Sequence, residues 1–295
     1  MCSPNISALR CPFMEYKDFG RAKVKVSAIG MGTFFDAKGI MESWILGHYG
    51  NEKEKIDALK KGIELGINFI DTAEVYRTEK YIGKVVKAYK REDLFIATKV
   101  YSWHLRYEQV LKAAKRSLSR LQTSYIDLYQ IHMPNSRVPI KETMSAMKQL
   151  IKEGKIRYVG VSNFSLDQVK EADSEFSNSE LVSVQNKYNL VDRGLEVDIL
   201  PYCIKNNIVV IPYFPLAHGK LTKPSRKQKE VLDHISEKYG GKTPAQIALN
   251  WFLSKSKIVF PIPRASKPSR IIENVGAIGW TMEKDDIITL ENTFQ

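Results

Sequence analysis

Apolar and polar positions alternate between two periods along this chain. Short β-rich apolar runs recur at 26–31, 68–71, 94–100, 126–132, 158–162, 181–185, 208–212 and 258–262. Longer stretches with helical spacing lie between them, at 52–65, 79–89, 107–121, 140–153, 166–175, 194–206, 227–239 and 244–253. The spacing is clearest over 107–121, where Val110, Leu111, Ala114, Leu118 and Leu121 recur at three- and four-residue steps.

Strands that alternate with helices form parallel sheets, because parallel neighbours need a crossover and are covered on both faces. Eight such units predict an α/β fold closed into a (β/α)8 TIM barrel. An open doubly wound sheet is the alternative, but no G-x-G-x-x-G follows the first run. Gly30 and Gly32, in Ile29-Gly-Met-Gly-Thr33, lead instead into a loop. The length of 295 residues suits one barrel, and no linker-like stretch marks a boundary. Residues 14–295 are therefore read as a single barrel domain. Residues 1–13 are expected to be a disordered tail or to precede the true start.

Composition narrows the setting. With 43% hydrophobic and 26% charged residues the chain is ordinary for a globular protein. No apolar run approaches the roughly 18 residues of a membrane span, and residues 1–13 lack a secretory pattern, so a cytoplasmic protein without a membrane partner is expected. Cys2, Cys11 and Cys203 show neither C-x-x-C nor metal-ligand spacing, which speaks against disulfides and a metal site. The net charge of +12 raises nucleic acid as a partner, but the charges at 51–61 and 87–93 are mixed in sign and no basic block with interleaved aromatics occurs. No nucleic-acid partner is expected. The pattern is silent on oligomeric state.

Barrel enzymes carry reactive groups at the carboxyl ends of their strands. The polar residues ending the apolar runs are Asp71, Lys99, His132, Ser162 with Asn163, Gln185 and Tyr213. Singly, each has a bland reading as a helix cap, a solvated loop residue or a satisfied core group. On consecutive strands, with Tyr76 just beyond Asp71, they would meet around one pocket.

The sequence resembles the aldo-keto reductase superfamily. The resemblance rests on Gly32-Thr33, Gly66-Ile-Asn-Phe-Ile-Asp-Thr-Ala-Glu-Val-Tyr76, Ala97-Thr-Lys-Val100, Ser124-Tyr-Ile-Asp-Leu-Tyr-Gln-Ile-His132 and Gly154-Lys-Ile-Arg-Tyr-Val-Gly-Val-Ser-Asn-Phe164. It continues through Val184-Gln-Asn-Lys-Tyr-Asn189, Tyr213-Phe-Pro-Leu216 and Ile262-Pro-Arg-Ala-Ser-Lys-Pro-Ser-Arg270. It implies a catalytic tetrad of Asp71, Tyr76, Lys99 and His132 that reduces aldehydes and ketones, including open-chain sugars, to alcohols. Hydride delivered to a carbonyl carbon leaves negative charge on oxygen, so a proton donor is needed there. Tyr76 would supply the proton, Lys99 kept charged by Asp71 would favour the phenolate, and His132 would orient the carbonyl.

The hydride requires a bound donor, and the resemblance implies a nicotinamide. Ser162, Asn163 and Gln185 would hold its carboxamide, and Tyr213 would stack on its ring. Gly32, Thr33 and Leu216 match further cofactor positions, and Glu273 with Asn274 the adenine site. Arg264, Lys267 and Arg270, with Ser266 as a helix cap and Pro268 near the first turn, suit the 2′-phosphate of NADPH in preference to NADH, although Ala265 stands where many relatives have serine. Phe34, Trp44, Trp103 and His104, on connections at 34–50 and 101–106, are candidates for an aromatic pocket accepting a small carbonyl substrate. Two other readings compete: a non-enzymatic, cofactor-binding regulatory subunit, and a Schiff-base aldolase with Lys99 as nucleophile.

Overall fold

A computed structural model describes residues 14–35, 37–47, 50–176, 180–264 and 266–294. The expected tail at 1–13 and Ala265 lie outside the described residues.

The run expected over 26–31 divides in two. Strands β1 (Tyr16–Asp18) and β2 (Lys25–Ser27) pair as an antiparallel hairpin, and only β3 (Met31–Gly32) enters the barrel. From β3 the parallel order runs through β4 (Phe69–Asp71), β5 (Phe95–Val100), β6 (Ile126–Ile131), β7 (Ile156–Ser162), β8 (Leu181–Lys187) and β9 (Val209–Tyr213).

The eighth stave, around 258–264, closes the ring without a regular ladder. Phe260 N donates to Val210 O at 3.0 Å, while Gly30 N and Gly32 N donate to Pro261 O and Pro263 O at 2.9 Å. Pro261 and Pro263 have no N–H, so toward β3 this stave can only accept at those positions. Gly32 permits the approach, since a Cβ there would stand 2.7 Å from Ile262 O. The result is a (β/α)8 barrel in a single domain.

Helices α1 (Ala37–Leu46), α2 (Glu52–Glu64), α3 (Glu79–Val86), α4 (Tyr107–Leu121), α5 (Ile140–Lys152), α6 (Leu166–Ser174), α7 (Ile199–Lys205), α8 (Arg226–Lys238), α9 (Pro244–Lys255), α10 (Pro268–Val275) and α11 (Lys284–Thr293) cover the barrel. Local chemistry sets several starts. Ser165 with Gln168, Ser225 with Gln228, and Thr243 with Gln246 form reciprocal capping boxes for α6, α8 and α9. The helix expected over 194–206 begins late. A 3-10 turn at Gly194–Glu196 precedes it, and Asp198 caps α7 by accepting from Ile199 N at 2.6 Å. Helix α1 occupies part of the stretch read as a pocket connection, and α11 was not anticipated. α11 is pinned to α8 and α9 by Asp286, which accepts from Lys238 and Tyr239, and by Glu291, which accepts from Lys255 and Trp251. None of the described helices is long and apolar enough to cross a membrane.

Apolar side chains pack in two layers, one between strands and helices and one inside the barrel. The inner layer sits at the amino ends of the strands, where Phe19, from the hairpin connection, meets Phe69, Phe95 and Phe260 at centroid distances of 5.7, 4.7 and 5.0 Å. Burying each ring contributes roughly 1.5–3 kcal/mol. The floor is thereby sealed, and polar chemistry is left to the opposite end.

Candidate active site

At the carboxyl ends of β4 and β5, Asp71 and Lys99 turn inward. Lys99 is fully buried, with Nζ donating to Asp71 Oδ1 at 2.5 Å and to Thr72 O at 2.8 Å. Burial pushes the Lys99 ammonium down from the usual lysine range; the Asp71 carboxylate, and Glu79 behind it, oppose that shift. The other Asp71 oxygen accepts from Gln185 Nε2 at 2.9 Å and from Gln130 Nε2 at 3.2 Å. A buried ion pair is held only when its remaining lone pairs are met, and here they are.

Tyr76 ends a 3-10 turn, Glu74–Tyr76, that follows β4. The turn stands on a net of threonine hydroxyls: Thr33 and Thr72 both bond Thr78, at 2.9 and 2.8 Å. Its closure places the Lys99 Nζ 5.2 Å from the Tyr76 ring centroid and the Tyr76 hydroxyl 3.3 Å from His132 Nε2. Burial first, and the Lys99 charge second, push the His132 imidazole down to about 3, so it is neutral at physiological pH. Its Nδ1 meets no hydrogen-bond partner among the described residues. Asp71, Tyr76, Lys99 and His132 thus come together in one connected cluster.

Beside it the ends of β7, β8 and β9 are stitched through Asn163. Its backbone is left-handed (φ 60°), fixed by N–H donation to Gln185 O at 3.1 Å and Asn186 Oδ1 at 2.7 Å. Its Nδ2 donates to His132 O at 2.9 Å and Ser162 Oγ at 3.1 Å, and its Oδ1 accepts from Tyr213 OH at 2.7 Å. Ser162, Asn163 and Tyr213 therefore form one group, whereas the Gln185 amide nitrogen is committed to Asp71. Leu216 lies in the tight turn after Tyr213, where Ala217 N donates to Phe214 O at 2.9 Å, and packs against the outer core.

The basic cluster gathers at the start of α10, with one correction. Lys267, not Ser266, occupies the cap position, and no side chain caps the helix. The residue before a proline is driven to extended backbone, and Lys267 has φ −145° and ψ 144°, so Pro268 moves the helix boundary one residue past Ser266. Arg264 Nη1 donates to Phe35 O at 2.6 Å, and Arg270 pairs with Glu273 at 3.2 Å. Glu273 also accepts from Thr243, and Asn274 is buried.

Of the pocket candidates, Phe34 stands edge-on to Tyr76 at 5.2 Å and Trp103 edge-on to Tyr101 at 5.0 Å. Trp44, on α1, lies under the Arg77 guanidinium at 4.7 Å. His104 is turned into a 2.9 Å contact between Nδ1 and Glu74 Oε1. Trp44 and Trp103 are 55% and 72% exposed, so neither ring is packed away, although Arg77 covers one face of Trp44. Sequence reasoning assigned no role to Gln130, Glu74, Tyr101 or Asn186. Glu74 ties the Tyr76 turn to the next connection by accepting from Tyr101 N at 2.6 Å, and the Tyr101 ring lies 5.5 Å from His132. The available signal was position: Gln130 stands two residues before His132, on the same inward face of β6.

Comparison with known proteins agrees with this geometry. The profile of the Aldo/keto reductase family matches residues 28–293, and the chain belongs to that family. It is similar to a methylglyoxal reductase of Escherichia coli, 31% identical over 92% of each chain, and to a glyoxal reductase of Bacillus subtilis, 35% identical over 80% of this chain and 82% of the relative. Among solved structures, an aldo/keto reductase of Klebsiella pneumoniae in complex with NADP and acetate superposes with a TM-score of 0.83 at 29% identity, covering 94% of this chain and 95% of that one. The chain is accordingly an NAD(P)H-dependent oxidoreductase of the carbonyl-reducing type.

Its donor set fits a phosphorylated nicotinamide dinucleotide. Arg264, Lys267 and Arg270 offer cations and the uncapped amides of α10 at one end. Ser162, Asn163 and the half-buried Tyr213 ring offer amide-complementary groups and a flat face at the other.

Proposed function

We propose that this protein reduces small aldehydes and α-ketoaldehydes to alcohols with NADPH, using Tyr76 as proton donor. The observation that carries the reading is the buried Lys99–Asp71 pair beneath the Tyr76 ring, with the Tyr76 hydroxyl against a neutral imidazole. NADPH when bound supplies the hydride. Every other requirement falls on the protein's own groups. His132 Nε2 holds the carbonyl oxygen beside the Tyr76 hydroxyl, and its neutrality leaves the phenol as the acid. As the proton leaves Tyr76, the Lys99 ammonium stabilises the phenolate, and Asp71 keeps that ammonium charged away from water.

Ser162 and Asn163 would hold the nicotinamide carboxamide and Tyr213 its ring, while Arg264, Lys267 and Arg270 would bind the 2′-phosphate. The names of the two bacterial relatives support small dicarbonyls as substrates. Phe34, Trp44 and Trp103 would form the apolar side of the pocket. The test is consumption of NADPH and of NADH with a panel from methylglyoxal to bulky ketones. Preferential NADPH oxidation with the small carbonyls is expected; tight NADPH binding without turnover would favour a regulatory role. Arg270→Ala is expected to weaken NADPH binding about tenfold or more while leaving NADH binding unchanged, the worth of a hydrogen bond to a charged group.

A further inference from the structure

The acid–base cluster has a member outside the tetrad. Gln130 is fully buried on β6, and its side chain fills the barrel interior beside Asp71. Its orientation is set by its neighbours. Gln185 Nε2 lies 3.5 Å from Gln130 Oε1, so the Gln130 oxygen faces that amide and its Nε2 faces Asp71 Oδ2 at 3.2 Å. Room for it is made by Gly160, its register partner on the adjacent strand β7. A Cβ on Gly160 would lie 2.3 Å from Ser183 Oγ, 2.9 Å from Gln130 Cγ and 3.2 Å from Gln130 Oε1. The neighbouring strand therefore gives up a side chain to seat this amide together with the Ser183 hydroxyl.

We propose that Gln130 is a positioning residue for proton donation: together with Gln185 it holds the outer oxygen of Asp71 so that the inner one faces Lys99 as an ionised partner. The argument rests on the proposed roles of Tyr76, Lys99 and Asp71. A carboxylate in a dry interior needs donors on both oxygens to stay charged. Lys99 serves one oxygen. A second cation on the other would compete for the carboxylate's charge, whereas two neutral amides satisfy it and leave the whole charge to Lys99. Without the Gln130 N–H, the buried pair shifts toward its neutral form, Lys99 loses positive character, and the Tyr76 phenolate loses support. Gln130 reaches the acid–base groups through its bond to Asp71 Oδ2, so its effect passes through that carboxylate.

The experiment uses Gln130→Met and Gln130→Leu in the full chain, with kcat, KM for NADPH and for methylglyoxal, the pH profile of kcat, and thermal unfolding. In both variants kcat is expected to fall about tenfold, with both KM values within about twofold of wild type, as for an interaction felt mainly in the transition state. The alkaline limb should move to higher pH by about one unit, because a weaker cation near Tyr76 makes the phenol harder to ionise. An unmoved alkaline limb in both Gln130 variants would overturn the proposal, whether or not the melting temperature falls, since a packing role changes stability without changing the titration. If Tyr76→Phe retained full turnover, the proton-donor reading itself would fail, whereas an inactive Tyr76→Phe beside unperturbed Gln130 variants would overturn the Gln130 assignment alone.

Discussion

Lys99 and Lys17 each bring an ammonium into this barrel, at opposite ends, and the groups that receive them differ in kind. Lys99, at the carboxyl ends of the strands, meets a carboxylate at 2.5 Å whose far oxygen is held by two amides. Lys17, at the floor, has a backbone carbonyl, Val259 O, at 2.9 Å and the face of the Phe260 ring at 4.5 Å. Burial pushes Lys17 down to about 8, with only Glu15 opposing, so the floor tolerates an ammonium that is close to release. At the upper end burial lowers Lys99 as well, but there a carboxylate at contact distance opposes it. A sealed aromatic floor and a polar roof are what a barrel needs if all of its chemistry is to sit at one end.

The largest effect expected of this difference is on removing the partner. Asp71→Asn leaves the Lys99 ammonium buried without a counter-charge, which is expected to destabilise by about 3–5 kcal/mol and to abolish most turnover. Urea unfolding checks it, and an unchanged midpoint would show that the pair is not coupled. A smaller effect comes from His132, whose imidazole is held at about 3 by burial. Between roughly pH 6.5 and 3 the unfolded chain takes up a proton that the folded site refuses, so this contribution is complete above about 6.5 and is lost as pH falls. His132→Gln should flatten the acid slope of stability, by on the order of a few kcal/mol at its foot. The smallest effect is expected at the floor. Lys17→Met should change stability at pH 7 by less than about 1 kcal/mol, because relief of a desolvated ammonium offsets the lost bond to Val259 O. Relative to wild type the variant should lose ground as pH rises from about 8 toward 10.5, where the native lysine sheds its proton. Melting curves at the two pH values decide it, and a large loss at pH 7 would erase the contrast between the two ends.

Much of this could be read in the sequence where one physical period dominates. The runs at 94–100 and 126–132 became β5 and β6 because strands covered on both faces must be continuously apolar, and 107–121 became α4 over its full length. The strand-end residues Asp71, Lys99 and His132 were legible only together: each alone has a bland reading, but polar groups ending consecutive apolar runs must meet at one end of a barrel. Other parts were hidden by competing signals. Pro261 and Pro263 removed the donors that would have made the eighth stave a strand. Helix α1 points Met41, Trp44 and Ile45 outward, which blurs the period that would have announced it. The role of Gln130 depends on a notch at Gly160, a contact between neighbouring strands that no local pattern carries.

The central claim, that Tyr76 donates the proton, is tested most directly by Tyr76→Phe, measured both for NADPH affinity by fluorescence titration and for turnover of methylglyoxal. The account predicts unchanged affinity with turnover reduced roughly 10²- to 10⁴-fold, the usual worth of a positioned acid. Turnover close to wild type, or a loss explained by failure to bind NADPH, would contradict it.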